Sequence, residues 1–297
     1  MVDGYLFAVT ASAKCVVIAC STGRVARTFV EVHTGADSSC WSIAARLLST
    51  GNLRIAVGSN AHQVAIWDVD VSPDLVPASE EKCPRQVICR SHNHNIPSVD
   101  LDELGDRLAS ASIDGSVIVW DASLGTKLFQ YQSESLEWGW CVRWIPSSFV
   151  HSSSSKYTRQ VILFCTETWI YLLDDQLEPQ EASQPVEVVG RESSYSKLCF
   201  VELVPEHELI LVASPTWQAG VLLRIHHGED ELSLSESQWN IPLHGLNCGI
   251  TIQTLEKTDS SDVSETKIHA LGYDGRILAT TMVDTEAGSS NLNLTLL

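Results

Sequence analysis

One pattern recurs along the chain and constrains its fold more than any other feature. It is a short strand of small and apolar residues, a two-residue turn, and a second β-branched strand that ends in Trp-Asp. Residues 106–121 read DRLASASIDGSVIVWD. Asp-Gly between two such runs is a strong hairpin signal, because both turn residues tolerate positive φ. Residues 52–68, NLRIAVGSNAHQVAIWD, repeat the layout with Asn60-Ala61 in the turn and Trp67-Asp68 at the end. Residues 267–284, KIHALGYDGRILATTMVD, repeat it around Asp274-Gly275. Weaker copies lie at 6–29 (turn at Ser12-Ala13, third strand after Thr22-Gly23), at 159–174 (turn near Glu167) and at 208–226 (turn near Trp217). The turns at 12, 60, 114, 167, 217 and 274 are separated by 48 to 57 residues.

A near-regular period of this size, with four short strands per unit, predicts an all-β propeller whose units are blades. Each hairpin after the first is preceded by an apolar strand, at 42–48, 96–101, 141–145, 197–203 and 249–255, which would line the propeller's centre. Each hairpin is followed by an outer strand, at 24–30, 86–90, 127–131, 186–189, 232–234 and 292–296. The hairpins ending in Trp-Asp resemble WD repeats. The expected organisation is one propeller domain with blades at about 1–34, 40–91, 92–133, 138–192, 195–240 and 247–297. The first unit lacks an innermost strand, so the expectation is a propeller of six recognisable blades belonging to a seven-bladed or longer protein; a closed six-bladed ring is the alternative. The polar stretches 71–84, 147–158, 175–185 and 256–266 fall between strands and are expected to be loops.

Composition narrows the function classes. With 44% hydrophobic and 19% charged residues the chain can fill a core. No window approaches the roughly 18 to 20 apolar residues of a membrane span, and the N-terminus carries Asp3 and Lys14 where a signal peptide would have a basic cluster and an unbroken apolar run. The net charge is -18 with only 19 Lys and Arg, which argues against direct contact with a nucleic-acid backbone. The acidic balance either suits a protein partner with a basic surface or serves solubility. Nine cysteines without a C-x-x-C pair read as free core thiols in a reducing compartment.

The strongest unit offers a local network. His92 stands before an inner strand, and Ser110 or Ser112, Asp114 and Trp120 complete the His, Ser, Asp, Trp set of WD repeats. An Asp accepting from imidazole and turn amides, with a hydroxyl bridging to an indole N–H, satisfies buried polar groups. The set superficially resembles a hydrolase triad, but no nucleophile elbow or oxyanion loop accompanies it, so no catalytic residue is assigned. His92 with His94 makes a weak metal signal, and His226-His227 a weaker one; no metal and no cofactor are assigned. Trp138, Trp140, Arg143 and Trp144 cluster in LEWGWCVRWIP at the mouth of an inner strand. They are either blade packing or an aromatic contact patch at the channel rim.

Residues 91–125, SHNHNIPSVDLDELGDRLASASIDGSVIVWDASLG, followed by EWGWCVRWIP, resemble the fungal Crt-type regulators of ribonucleotide reductase transcription. The resemblance covers residues 40–150 best. It implies a nuclear protein that acts on transcription through protein partners, with no catalytic residues to carry over. The expected location is the nucleus, with nucleus and cytoplasm together as the alternative, and the residues themselves point to a non-enzymatic protein. A substrate receptor of a cullin-type ubiquitin ligase is a second reading. The Trp-Asp-x-Arg end common to such receptors is absent, since the ends here are Trp67-Asp68-Val69-Asp70 and Trp120-Asp121-Ala122-Ser123. A scaffold subunit of a larger assembly is a third.

Overall fold

The computed structural model describes residues 4–33, 39–70, 80–84, 87–147, 160–178, 185–187, 198–204, 209–215, 219–227, 232–243, 247–255, 265–272, 277–284 and 290–296. The turns expected at Trp217 and at Asp274-Gly275 lie outside the described residues. The elements among the described residues are strands in six four-stranded sheets. Strands β1 (Tyr5–Val9), β2 (Cys15–Ala19) and β3 (Arg24–Val30) belong to the first sheet. Strands β4 (Cys40–Leu47), β5 (Leu53–Ser59), β6 (Gln63–Val69) and β8 (Val87–Arg90) make the second, and β7 (Glu81–Lys82) leaves it to join β3. The third comprises β9 (Ser98–Leu101), β10 (Arg107–Ala111), β11 (Ser116–Asp121) and β12 (Lys127–Gln132). The fourth comprises β13 (Cys141–Ile145), β14 (Val161–Cys165), β15 (Trp169–Asp174) and β16 (Val186–Glu187). The fifth holds β17 (Phe200–Val204), β18 (Leu209–Ala213), β19 (Ala219–His227) and β20 (Leu232–Pro242), and the sixth β21 (Asn247–Leu255), β22 (Glu265–Gly272), β23 (Ile277–Asp284) and β24 (Ser290–Leu296). Among the described residues no helix is long and apolar enough to cross a membrane.

Turn geometry sets the repeat in register. Ala13 (φ 54°), His62 (φ 60°) and Gly115 (φ 80°) stand at one position of the β1–β2, β5–β6 and β10–β11 turns. In the second unit the strained residue is therefore His62, one beyond the Asn-Ala pair singled out from sequence. The same alignment puts β1 opposite β5 and β10, the second strands of their sheets, rather than opposite the inner strands β4 and β9. The fourth member of the first sheet is β7, added at the outer edge. It pairs parallel with β3, Phe29 opposite Glu81 and Val30 opposite Lys82.

The loop expected over 71–84 thus contains a strand. The Cys83 N–H donates to the Val30 carbonyl at 3.0 Å. Ion pairs join Arg27 to Glu81 (3.0 Å), Lys82 to Glu31 (2.8 Å) and Lys14 to Glu80. Strand propensity is low in such a charged stretch. The pairing comes from opposite charges brought together by the fold.

Strands buried on both faces read as nearly continuous apolar runs, and every residue of β5 is buried. One face of the second sheet, Ile55, Val57, Ala65 and Trp67, packs on Cys15, Val17 and Phe29 of the first. The Phe29 and Trp67 rings meet edge to face at 5.5 Å, in the range that adds to simple burial. The opposite face, Ala56, Val64 and Ile66, packs on Leu108, Ile118 and Trp120 of the third. Cys15, Cys40, Cys83, Cys89, Cys141 and Cys165 are buried. Burial pushes the Cys40 and Cys89 thiols up to about 12, which keeps them protonated and unreactive.

The chain divides into two compact units. One holds residues 1–150, 158–166 and 172–179; the other holds 151–157, 167–171 and 180–297. In the second unit Val204, Leu209, Leu211 and Leu222 of the fifth sheet form a cluster with Ile268 and Ala270 of the sixth.

Candidate functional site

The His92 network forms in the third sheet. The β10–β11 pairing sets Ser110 opposite Ile118 and Leu108 opposite Trp120. Trp120 Nε1–H donates to Ser110 Oγ at 2.8 Å, and Ser110 Oγ lies 2.8 Å from His92 Nε2. His92 Nδ1 lies 3.3 Å from Asp114 Oδ2 and 3.1 Å from Ser116 Oγ. Because the Asp114 carboxylate can only accept, Nδ1 donates to it, and Ser110 Oγ links the indole to Nε2. The bridging serine is therefore Ser110. Ser112 instead holds the turn, accepting the Asp114 N–H at 3.1 Å and donating to the His94 carbonyl at 3.2 Å. Asp114 also accepts from the Asn93 N–H (2.8 Å), the Ser116 N–H (3.0 Å) and the Ser116 hydroxyl (2.6 Å). Burial alone would raise its carboxyl, but the hydrogen bonds from His92, Ser116 and Asn93 outweigh it and hold Asp114 well below the usual carboxylate range.

This arrangement cannot act as a hydrolytic triad. Ser110 is fully buried, with its hydroxyl held between an indole and an imidazole, so no substrate reaches it. His92 is committed to the network. His94 stacks on His62 at 5.7 Å, with its Nδ1 accepting from the Asn95 N–H. Among the described residues no group of three or more His, Cys, Asp and Glu side chains could hold a metal ion.

The second sheet carries a worn copy of the network. His33 Nε2 lies 3.0 Å from the Val57 carbonyl. Val57 stands where Ser110 stands, Ala61 where Asp114 stands and Trp67 where Trp120 stands. Without the serine hydroxyl, the buried Trp67 Nε1–H has no acceptor among the described residues.

The four-residue aromatic patch divides on exposure. Trp138 is 47% exposed, but Trp140 and Trp144 are 8% and 5% exposed. The contact reading of Trp140 and Trp144 is corrected: both belong to the core, because β13 is packed into its sheet. Arg143 is half-buried and faces Asp100 of β9, where desolvation raises the carboxyl and Arg143 and the Trp144 N–H only partly offset it. The exposed rim is built otherwise. Trp41 at the start of β4 (43% exposed), Leu136 (76%) and Trp138 all lie at the end of the blades where inner strands begin. The inner strands are tied together just below. Ser42 Oγ donates to the Ile96 carbonyl at 3.1 Å, Ser98 Oγ to the Val142 carbonyl at 3.3 Å, and the Trp144 N–H donates to Asp100 at 2.8 Å.

At the other end of the blades stands a residue the sequence reading missed. Arg54 binds both oxygens of Asp68 (2.8 and 3.0 Å), the Gly105 carbonyl (2.8 Å) and Ser123 Oγ (3.2 Å), which locks the second sheet to the third. Arg107, at the same strand position in the next sheet, reaches Asp175 at 2.7 Å. The signal was present in sequence, since LRIA and DRLA place an arginine at the same point of two successive units.

No protein-family profile matches the chain. It is similar to a WD40 repeat-containing protein of Dictyostelium discoideum, 34% identical over 107 residues, 36% of this chain and 14% of the relative. It is similar to nucleoporin SEH1 of Homo sapiens, 27% identical over 193 residues, 63% of this chain and 50% of the relative. A WD repeat-containing protein of Schizosaccharomyces pombe is 30% identical over 125 residues, 40% of this chain and 24% of the relative. The chain thus spans half or less of the length of these relatives. Four-stranded sheets in a regular repeat and the His92–Ser110–Trp120–Asp114 set, together with similarity to two proteins named for WD repeats, identify the fold as blades of the WD-repeat β-propeller type.

Proposed function

We propose that the protein is a non-enzymatic interaction platform, a scaffold that holds other proteins against the rim of its blades. The observation that carries this reading is the exposure of Trp41, Leu136 and Trp138 on rigid, hydrogen-bonded blades. Large apolar side chains exposed on a fixed frame cost little to order on binding, and tryptophan dominates interface hot spots. Among the described residues, the His92, Ser110 and Asp114 cluster, which has the residue types of a catalytic site, is sealed and serves the fold. Similarity to a nucleoporin supports a subunit role in a larger assembly. The net charge of -18 favours a partner with a basic surface, whose association would slow as salt rises. Within this reading, the resemblance of residues 91–125 to Crt-type regulators supports a nuclear protein that influences ribonucleotide reductase transcription through protein partners.

The test is affinity capture by the full chain, with the bound proteins identified by mass spectrometry. The comparison is a Trp41→Ser, Trp138→Ala double variant whose melting temperature is checked first. A partner set lost from the variant at unchanged melting supports the platform. An identical set from both proteins overturns the rim as its contact surface. Unchanged ribonucleotide reductase transcripts after loss of the protein would remove the regulator reading and leave the scaffold.

A further inference from the structure

The end of the blades opposite the aromatic rim carries a groove of about 560 Å³, walled by the β4–β5 turn of the second sheet and the β9–β10 turn of the third. Its rim is apolar and open: Leu47 is 40% exposed and Leu104 is 68% exposed. Apolar exposure of this kind, concentrated beside a cavity, marks contact surfaces more often than plain surface. Its charge is one-sided. Arg54 lies in the floor, bound to Asp68 through two hydrogen bonds and set among further carboxylates, Asp106 and Asp121, so the site keeps a negative balance. Glu103 and Asp106 remain as excess carboxylates; Glu103 accepts from Ser147, a neutral partner, and Asp106 has no ion pair among the described residues.

The walls are preformed. Asp102 Oδ1 accepts the N–H groups of Asp106 (2.9 Å) and Arg107 (3.2 Å), which fixes the turn that presents Leu104. Gly105 in that turn has φ +76°, and a Cβ there would lie 2.7 Å from Leu48 Cδ2, so the turn sits directly on the neighbouring sheet. Arg54 donates to the Gly105 carbonyl from below. A groove held this way loses little conformational freedom when filled.

We infer that this groove docks a segment of a partner protein that presents a leucine-sized apolar side chain next to lysine or arginine. The apolar side chain covers Leu47 and Leu104, and the cation answers Glu103 and Asp106. The excess carboxylates repel polyanions, which removes nucleic acid as the occupant. The site extends the platform to a second face of the same blades and does not depend on the rim tryptophans.

The probe is a fluorescein-labelled peptide of alternating leucine and arginine, read by fluorescence anisotropy against the whole chain. Two control peptides replace leucine by serine or arginine by glutamate. The expected result is saturable binding of the first peptide, at least tenfold weaker binding of both controls, and weakening with salt. Leu104→Asp and Asp106→Lys should each weaken it at least tenfold at unchanged melting temperature, with Leu47→Ser as the substitute should either fail to fold. Trp138→Ala should leave the affinity unchanged, so failure of the rim reading and failure of this one are distinguishable. The inference is overturned if the groove variants bind as the parent does, if the serine peptide binds as tightly, or if Trp138→Ala abolishes binding. It is also overturned if sedimentation shows a dimer of this chain that Leu104→Asp dissociates, because the occupant is then a second copy.

Discussion

Asp114→Ala removes an acceptor that serves four donors. Asn93 is exposed, so water replaces the carboxylate at its N–H. Ser116 keeps a partner in His92. The His92 side chain is fully shielded, and its Nδ1–H loses its charged acceptor. It keeps only the neutral Ser116 hydroxyl at 3.1 Å, while the N–H of buried Ser116 loses its acceptor. A buried donor left without its acceptor costs about 1–3 kcal/mol, and the loss of charge-assisted bonds places the expected effect near about 2 kcal/mol. In a unit of this size that lowers the melting temperature by roughly 4–8 °C. The effect must also follow pH. The folded carboxyl is held below its unfolded value of about 3.9, so its contribution is fully present above that value and is lost as pH falls through the folded pKa. Thermal melts of parent and variant between pH 3 and pH 7 should therefore run parallel above about pH 5 and converge toward the acid end. Identical melting at pH 7, or a gap that stays constant down to pH 3, would refute the account of Asp114 as the anchor of the network.

Two further substitutions test the repeat as physics. Val57→Thr supplies, in the second sheet, the hydroxyl that Ser110 supplies in the third; accepting from Trp67 Nε1–H, it should stabilise by about 1 kcal/mol, and a fall in melting temperature with an unshifted Trp67 indole resonance would contradict this. Arg54→Lys cannot hold Asp68 with two parallel bonds while reaching Gly105 and Ser123; a loss of about 1–3 kcal/mol and faster amide exchange over residues 103–107 are expected, and unchanged exchange would mean that Arg54 does not couple the sheets.

The repeat was legible because hairpins write themselves locally. Asp114-Gly115 between two β-branched runs, and Trp-Asp at the strand end, fix turn and register over sixteen residues. The inner strand at 141–145 and the start of the outer strand at 127 followed from that register. The network was legible for a related reason: His92, Ser110, Asp114 and Trp120 stand at fixed offsets from one turn. Where the turn chemistry weakens, the reading weakened with it. His62, at positive φ without being Gly, Asn or Asp, hid the second turn's true position, and His33 went unnoticed because Val57 and Ala61 replace the serine and aspartate that would have marked its role.

The sequence by itself determined which residues alternate between strand and turn, because those choices rest on backbone preferences of near neighbours. Only the tertiary structure decided which tryptophans face solvent. Trp138, Trp140 and Trp144 share one short segment, yet one is exposed and two are core, since exposure depends on the sheets packed around them. The same holds for β7, a charged stretch that becomes a strand only because Arg27, Glu31 and Val30 are placed beside it. It holds too for Arg54, whose partners Gly105 and Ser123 lie in the next sheet. Contacts between residues fifty or more positions apart leave no local trace, because the energy that selects them is paid out only once the sheets have met.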